Sequence, residues 1–163
     1  MLNKNVETAL NEQVKNELYS AYLYLSMVAY LESANLPGFA KWMRVQAKEE
    51  VSHGMKMFDY VCERGGRAVL QGIVQPPVDF KGPLDIMEKA YAHERTVTGM
   101  INKLYETAAK EGDYATQTFL QWFLNEQVEE EKNASDLVAM LKMTESKEGG
   151  ILYIDQHAGK REG

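Results

Sequence analysis

Residues 67–82 divide the chain in two. They hold Pro76-Pro77 and short apolar pairs but no helical period. The stretches on either side place apolar residues at alternating steps of three and four, as a helix face does. At roughly 3.3 Å per residue the divider can reach about 50 Å, whereas a helix of about 28 residues is only about 42 Å long. It is therefore long enough to travel back along a whole helix, which makes the helices it joins parallel. A structureless connection of that length has little other use in a compact domain. The expected frame is two helical hairpins linked by one long crossover.

Four long helices and a short fifth are expected, over residues 5–34, 37–64, 83–111, 113–144 and 150–158. The first carries an apolar seam at Leu10, Val14, Glu17, Ala21, Tyr24, Val28 and Leu31. Asn35 suits the cap of the second helix, with Pro37 in its first turn and Gly65-Gly66 as its stop. The third helix opens at Pro83 and has Met87, Tyr91, Glu94, Thr98 and Ile101 on its seam. Asp113 caps the fourth, whose seam reads Phe119, Phe123, Glu126, Glu130, Asn133 and Leu137. Ile151-Leu152-Tyr153-Ile154 forms the fifth, and the tail from Gln156 is expected to fray. With no internal repeat or composition break, residues 1–163 read as one all-α domain, a four-helix bundle with one long crossover.

Composition narrows the partners. A net charge of −6 disfavours nucleic acid and anionic membrane, both of which want a basic face. The longest apolar run, near Ala21 to Leu31, is broken by Ser26 and is too short to span a bilayer. The start, Met1-Leu2-Asn3-Lys4-Asn5, has no apolar signal-peptide core. A lone cysteine, Cys62, excludes an internal disulfide, suits a reducing compartment and is expected to be a buried filler. The cytoplasm is the expected location.

The chemistry lies in the seams. Each long helix puts an acid there at about mid-length: Glu17, Glu50, Glu94, and Glu126 with Glu130. Three residues after Glu50, on the same face, stands His53. Buried carboxylates raise one another's pKa, and burial itself opposes their ionisation. Bound dications remove that conflict. Carboxylate oxygens with one imidazole and no thiolate form a hard site suited to iron or manganese. Two adjacent Fe(II) ions could pass two electrons to dioxygen or hydrogen peroxide. Glu129 and Glu49, one step off the seams, could complete an additional cation position. Gln127 flanks the site, and Tyr24, two turns from Glu17, could donate a hydrogen bond in the surrounding layer. His93, beside Glu94, reads as an ordinary, partly exposed histidine.

Several runs resemble the bacterial non-haem ferritins along nearly the whole chain. They are Leu10-Asn11-Glu12-Gln13, Glu17-Leu18-Tyr19-Ser20, Glu49-Glu50-x-x-His53, His93-Glu94, Phe119-Leu120-Gln121-Trp122 and Asn125-Glu126-Gln127-x-Glu129-Glu130-Glu131. The resemblance implies that Glu17, Glu50 and His53 bind one iron and that Glu50, Glu94 and Glu130 bind another, with Glu50 as the bridge. It further implies a third iron at Glu49, Glu126, Glu129 and Glu130, with Gln127 and Tyr24 around the centre. The implied activity is oxidation of Fe(II) by dioxygen or hydrogen peroxide, with ferric oxyhydroxide stored inside a shell of about 24 subunits. The short C-terminal helix would pack at its four-fold axis. Val51 stands where bacterioferritins carry a haem-ligating methionine, so no haem is expected there. Gln117 and Leu120 stand where animal ferritins line a channel with acids, so the resemblance supplies no such entry route.

Two other readings fit less well. A rubrerythrin-like peroxidase normally adds a four-cysteine iron module, which one cysteine cannot build. A purely structural bundle would need basic partners for its acids, and the seams hold none near Glu17, Glu50, Glu94 or Glu130. Lys48 and Lys132 fall off the seams.

Overall fold

The structure is a computed structural model that describes residues 1–144, 147 and 149–163. Five helices appear in order: α1 (Lys4–Ser33), α2 (Pro37–Glu63), α3 (Pro83–Lys110), α4 (Tyr114–Thr144) and α5 (Gly150–Ala158). No strand occurs among the described residues. The all-α bundle expected from periodicity is therefore observed.

Contacts between helix ends give the direction of each element. Asn3 and Asn5 at the start of α1 donate through Nδ2 to Glu111, just past α3, at 2.7 and 2.6 Å. Arg64, just past α2, pairs with Asp113, also beyond the end of α3, at 3.1 Å. The C-terminal ends of α2 and α3 therefore lie at the same end of the bundle, and the two helices run parallel. The crossover between them tracks α1. Asn11 donates to the Arg67 carbonyl at 3.0 Å and accepts from the Val69 N–H at 2.7 Å. Farther on, Ser26 donates to the Pro77 carbonyl, and Phe80 meets the Tyr30 ring edge-on with centroids 5.6 Å apart. From Asn11 to Tyr30 the crossover thus follows about five turns of helix, roughly 28 Å.

Local expectations were corrected at four places. Asn35 does not cap α2: at φ 58° it takes the left-handed conformation that closes α1, with the Leu36 N–H bonded to the Leu31 carbonyl at 3.0 Å. The donor group at the start of α2 is satisfied from far away instead, as the Phe39 N–H donates to Asp155 of α5 at 2.9 Å. Only glycine fits at position 38, because a Cβ there would lie 1.7 Å from the Asp155 carbonyl oxygen. Cys62 is exposed rather than buried. On α4 the buried row is Thr116, Leu120, Phe123, Gln127, Glu130, Ala134 and Leu137, so Glu126 is half-buried and Asn133 exposed. That row is a strict heptad interleaved with the expected one, and both share Phe123, Glu130 and Leu137.

The tail is the fourth correction. Rather than fraying, it folds onto α2: Lys41 donates to the Gly159 carbonyl at 2.9 Å, and the Arg161 guanidinium lies 4.3 Å from the Trp42 ring centre.

Two apolar clusters fill the bundle. One gathers Tyr24, Met27, Leu31, Phe39, Met43 and Met87 with Ile154 of α5. The other gathers Val6, Leu10, Met57, Val61, Ile101 and Leu120 toward the opposite end. Between them lies a buried polar layer of Glu17, Ser20, Gln46, Glu50, His53, Glu94, Gln127 and Glu130.

Candidate metal centre

That layer draws on all four long helices. Glu17 comes from α1, Glu50 and His53 from α2, Glu94 from α3 and Glu130 from α4, each less than 5% exposed. Three trios each offer ligand atoms within 4.8 Å of one another: Glu17, Glu50 and His53; Glu50, Glu94 and Glu130; and His53, Glu126 and Glu130. Glu50 belongs to the first two, the shape that a bridging carboxylate requires.

Distances around His53 are long for hydrogen bonds. Nδ1 stands 3.6 Å from Glu50 Oε2 and 4.0 Å from Glu17 Oε2, and Nε2 stands 3.8 Å from Glu126 Oε1. Ligand atoms bound at roughly 2.1 Å to one cation sit about 3 Å or more from each other, so the spacing suits a shared ion. The imidazole is held edge-on by Trp122 and Phe123, with centroids 5.4 and 6.1 Å away. Glu17 Oε2 is the sole buried side-chain nitrogen or oxygen without a hydrogen-bond partner among the described residues. A buried carboxylate oxygen without a partner is costly, and a cation would supply what the protein does not.

The carboxyls resist ionisation. Burial, then the Glu50 charge, holds Glu17 well above the usual carboxylate range. Glu50 is likewise held well above it by burial and next by Glu94. Burial raises Glu94 too, although hydrogen bonds from Tyr24 and Gln127 oppose the shift. Glu130 is pushed up to about 7, by burial first and the Glu94 charge second. Four acids whose ionisation burial opposes are four sites at which a divalent cation relieves that opposition.

Neighbours fix the carboxylates. Tyr24, fully buried, donates its hydroxyl to Glu94 Oε1. Gln127 donates to Glu94 Oε2 and to the Glu94 carbonyl, each at 3.2 Å. Gln13 donates to Glu17 Oε1 at 2.8 Å, and Gln46 donates to Glu130 and, at 3.4 Å, to Glu50. Neither Gln13 nor Gln46 was singled out as a site residue in the sequence. Both stand four residues before a buried glutamate, and that spacing was the readable signal. His93 is half-buried, its Nε2 2.7 Å from Ser20 Oγ, and burial lowers it to about 4, so it is neutral at pH 7.

The outer acids are not gathered in the same way. Glu126 joins His53 and Glu130, but Glu129 is exposed and belongs to none of the trios. Glu49 is paired with Arg161 at 2.6 Å. Glu131, one step round, accepts from Thr98 at 2.6 Å.

A helical bundle whose four long members each send a carboxylate into one buried layer, with a single imidazole, is a carboxylate-rich candidate for a two-metal protein. The ferritin-like domain family matches residues 7–144. The chain is 40% identical over 161 residues to a bacterial non-heme ferritin of Bacteroides fragilis, covering 99% of this chain and all of that one. It is 45% identical over 131 residues to one from Staphylococcus epidermidis, covering 80% and 79%. Among solved structures, an open-pore ferritin from Archaeoglobus fulgidus superposes with a TM-score of 0.97 at 46% identity, covering 99% of this chain and all of that one. The chain belongs to the ferritin family.

Proposed function

We propose that this protein is an iron store with ferroxidase activity, in which residues 1–163 act as one ferritin-like domain in the cytoplasm. One ferrous ion is held by Glu17, Glu50 and His53 and a second by Glu50, Glu94 and Glu130, with Glu50 common to both. The observation that carries this reading is the unpartnered Glu17 Oε2 facing His53, in a trio that shares Glu50 with a second trio. Fe(II) is the substrate. Each of two ions gives one electron; dioxygen takes both with two protons and leaves as hydrogen peroxide. Where hydrogen peroxide is the oxidant, it takes two electrons and two protons and leaves as two waters.

The protein's part is positioning. Tyr24 and Gln127 hold both oxygens of Glu94, Gln13 holds one oxygen of Glu17, and Gln46 holds Glu130. Such neighbours typically change metal affinity or activity about 10- to 100-fold when removed. Glu126, Glu129 and Glu49 serve a third, outer ion with Glu130, through which iron moves on after oxidation. The His53–Glu126–Glu130 trio supports that position, and it gains Glu49 only if the pair with Arg161 opens.

Storage needs a shell. Tyr22, Leu25, Leu70, Val74 and Val78 are all at least 47% exposed, along α1 and the crossover that follows it. An apolar strip of this kind favours self-association. It supports assembly into a shell of about 24 copies. No helix among the described residues is long and apolar enough to cross a membrane.

Aerobic titration with Fe(II), followed by particle size and iron content, tests the reading. Rapid oxidation and iron retained in a large particle are expected. A monomer or dimer that oxidises iron without retaining it would remove the storage half, and slow oxidation at the uncatalysed rate would remove the enzymatic half.

A further inference from the structure

Arg161 reaches the centre from the part of the chain that was expected to fray. Its Nη1 donates to Gln46 Oε1 at 2.8 Å and its Nη2 to Glu49 Oε2 at 2.6 Å. Gln46 in turn gives its amide N–H to Glu130 and Glu50. The amide orientation follows from the arginine end, since a guanidinium only donates and so meets the amide oxygen. One tail residue therefore touches an outer acid directly and two inner acids through one amide.

Arg161 brings a positively charged, planar guanidinium to this position. Its side chain is 16% exposed and that of Glu49 37%, so the pair is shielded from solvent on the arginine side only. Arg161 Nη2 holds Glu49 Oε2 at 2.6 Å, so a divalent ion that takes this oxygen as a ligand has to displace the guanidinium from it. Cation and arginine compete for that one oxygen and for the charge of the carboxylate.

Arg161 is held mainly by the chain that precedes it. Behind it, α5 is anchored to α2 by the Asp155–Phe39 hydrogen bond and the tight fit at Gly38. The turn after α5 is held by the Lys41–Gly159 contact and by Arg161 itself, stacked on Trp42. Beyond it, Gly163 lies against Val45. A cavity of about 410 Å³ opens beside the side chain, lined in part by Asn133, Asp136, Leu137 and His157. The guanidinium has space to leave without disturbing the helix behind it.

We propose that Arg161 is a tethered cation that competes with a third ferrous ion for Glu49, so that the last turn of the tail leaves α2 when that ion binds. The proposal rests on the outer-ion position described above. It explains why Glu49 alone among the α2 metal candidates lies outside every trio. It also makes filling of the outer position visible at the C-terminus.

Anaerobic Fe(II) titration of the assembled protein by calorimetry tests this, with wild type, Arg161→Ala, Arg161→Lys and the double variant Arg161→Ala/Glu49→Gln. In Arg161→Ala the third equivalent per subunit is expected to bind about tenfold tighter, the scale of one hydrogen bond to a charged group. The gain should vanish when Glu49→Gln is added. Arg161→Lys should fall between, because an ammonium cannot span Gln46 and Glu49 as the fork does. Hydrogen–deuterium exchange of residues 157–163 should accelerate in wild type at the third equivalent and not at the first two. A third ion that binds equally well with and without Arg161 overturns the competition and leaves the outer position standing. Two ions only, in every variant, overturns both. Tail exchange that ignores the third equivalent overturns the release.

Discussion

The buried acids and the outer acids of this bundle differ in what surrounds them more than in what they are. Glu17, Glu50, Glu94 and Glu130 lie in a layer closed above and below by apolar clusters, and burial is the first cause of each raised pKa. Glu49, Glu126 and Glu129 lie a step round their helices, half-buried or exposed. The inner set has almost no way to discharge itself except by protons or metal. The outer set has water, and Glu49 has Arg161. An acid whose solvation has been removed becomes a ligand in waiting, whereas one that keeps water can be lent to other partners.

The largest expected effect comes from the inner layer. Replacing Glu50 with Ala should slow Fe(II) oxidation at least about 100-fold in stopped-flow measurements, since both trios lose their shared member. Fold and assembly should survive, because a buried acid without a cation contributes little to stability. An unchanged oxidation rate would remove Glu50 as the bridge.

Next comes pH. Burial, and next the Glu94 charge, push Glu130 up to about 7 from the ordinary 4.5. A folded-state pKa above the unfolded one means that the stability contribution is whole below about 4.5 and is lost as pH rises through about 7. A shift of this size corresponds to a loss on the order of 3 kcal/mol. The metal-free wild type should therefore fall behind Glu130→Gln in melting temperature as pH goes from about 4.5 to 8. A difference that stays level across that range would mean that Glu130 is not under this stress.

Smaller effects belong to the positioning residues. Tyr24→Phe and Gln13→Leu should each lower the initial oxidation rate about tenfold, by freeing one oxygen of Glu94 or Glu17. Metal titration would then show weaker binding of the ion served by that acid and not of the other. The smallest effect on the first turnover is expected from Glu129→Ala, an exposed residue outside the trios. It should change later turnovers and iron release instead. Equal first and later rates in that variant would erase the distinction between inner and outer acids.

Much of this centre was legible because two simple periods act together. A seam residue every three or four positions assigns Glu17, Glu50 and Glu94 to the core, and similar helix lengths bring them to one height. His53 followed from its place three residues after Glu50. The α4 seam was harder, since two interleaved heptads share Phe123, Glu130 and Leu137; only packing shows that Gln127 is buried and Glu126 half-exposed. Asn35 was misassigned because asparagine serves equally at a helix start and in a left-handed turn. Arg161 could not have been found by any local pattern, since its partners lie more than 110 residues away.

The sequence by itself determined the number of helices, the parallel crossover and the burial of one acid per helix, because these follow from period, chain length and the cost of burying charge. The tertiary structure alone decided which oxygen of Glu17 lacks a partner, that Asp155 caps α2, and that Arg161 reaches Glu49. Those depend on which surfaces meet, and contacts between residues far apart in the chain leave no local period to read.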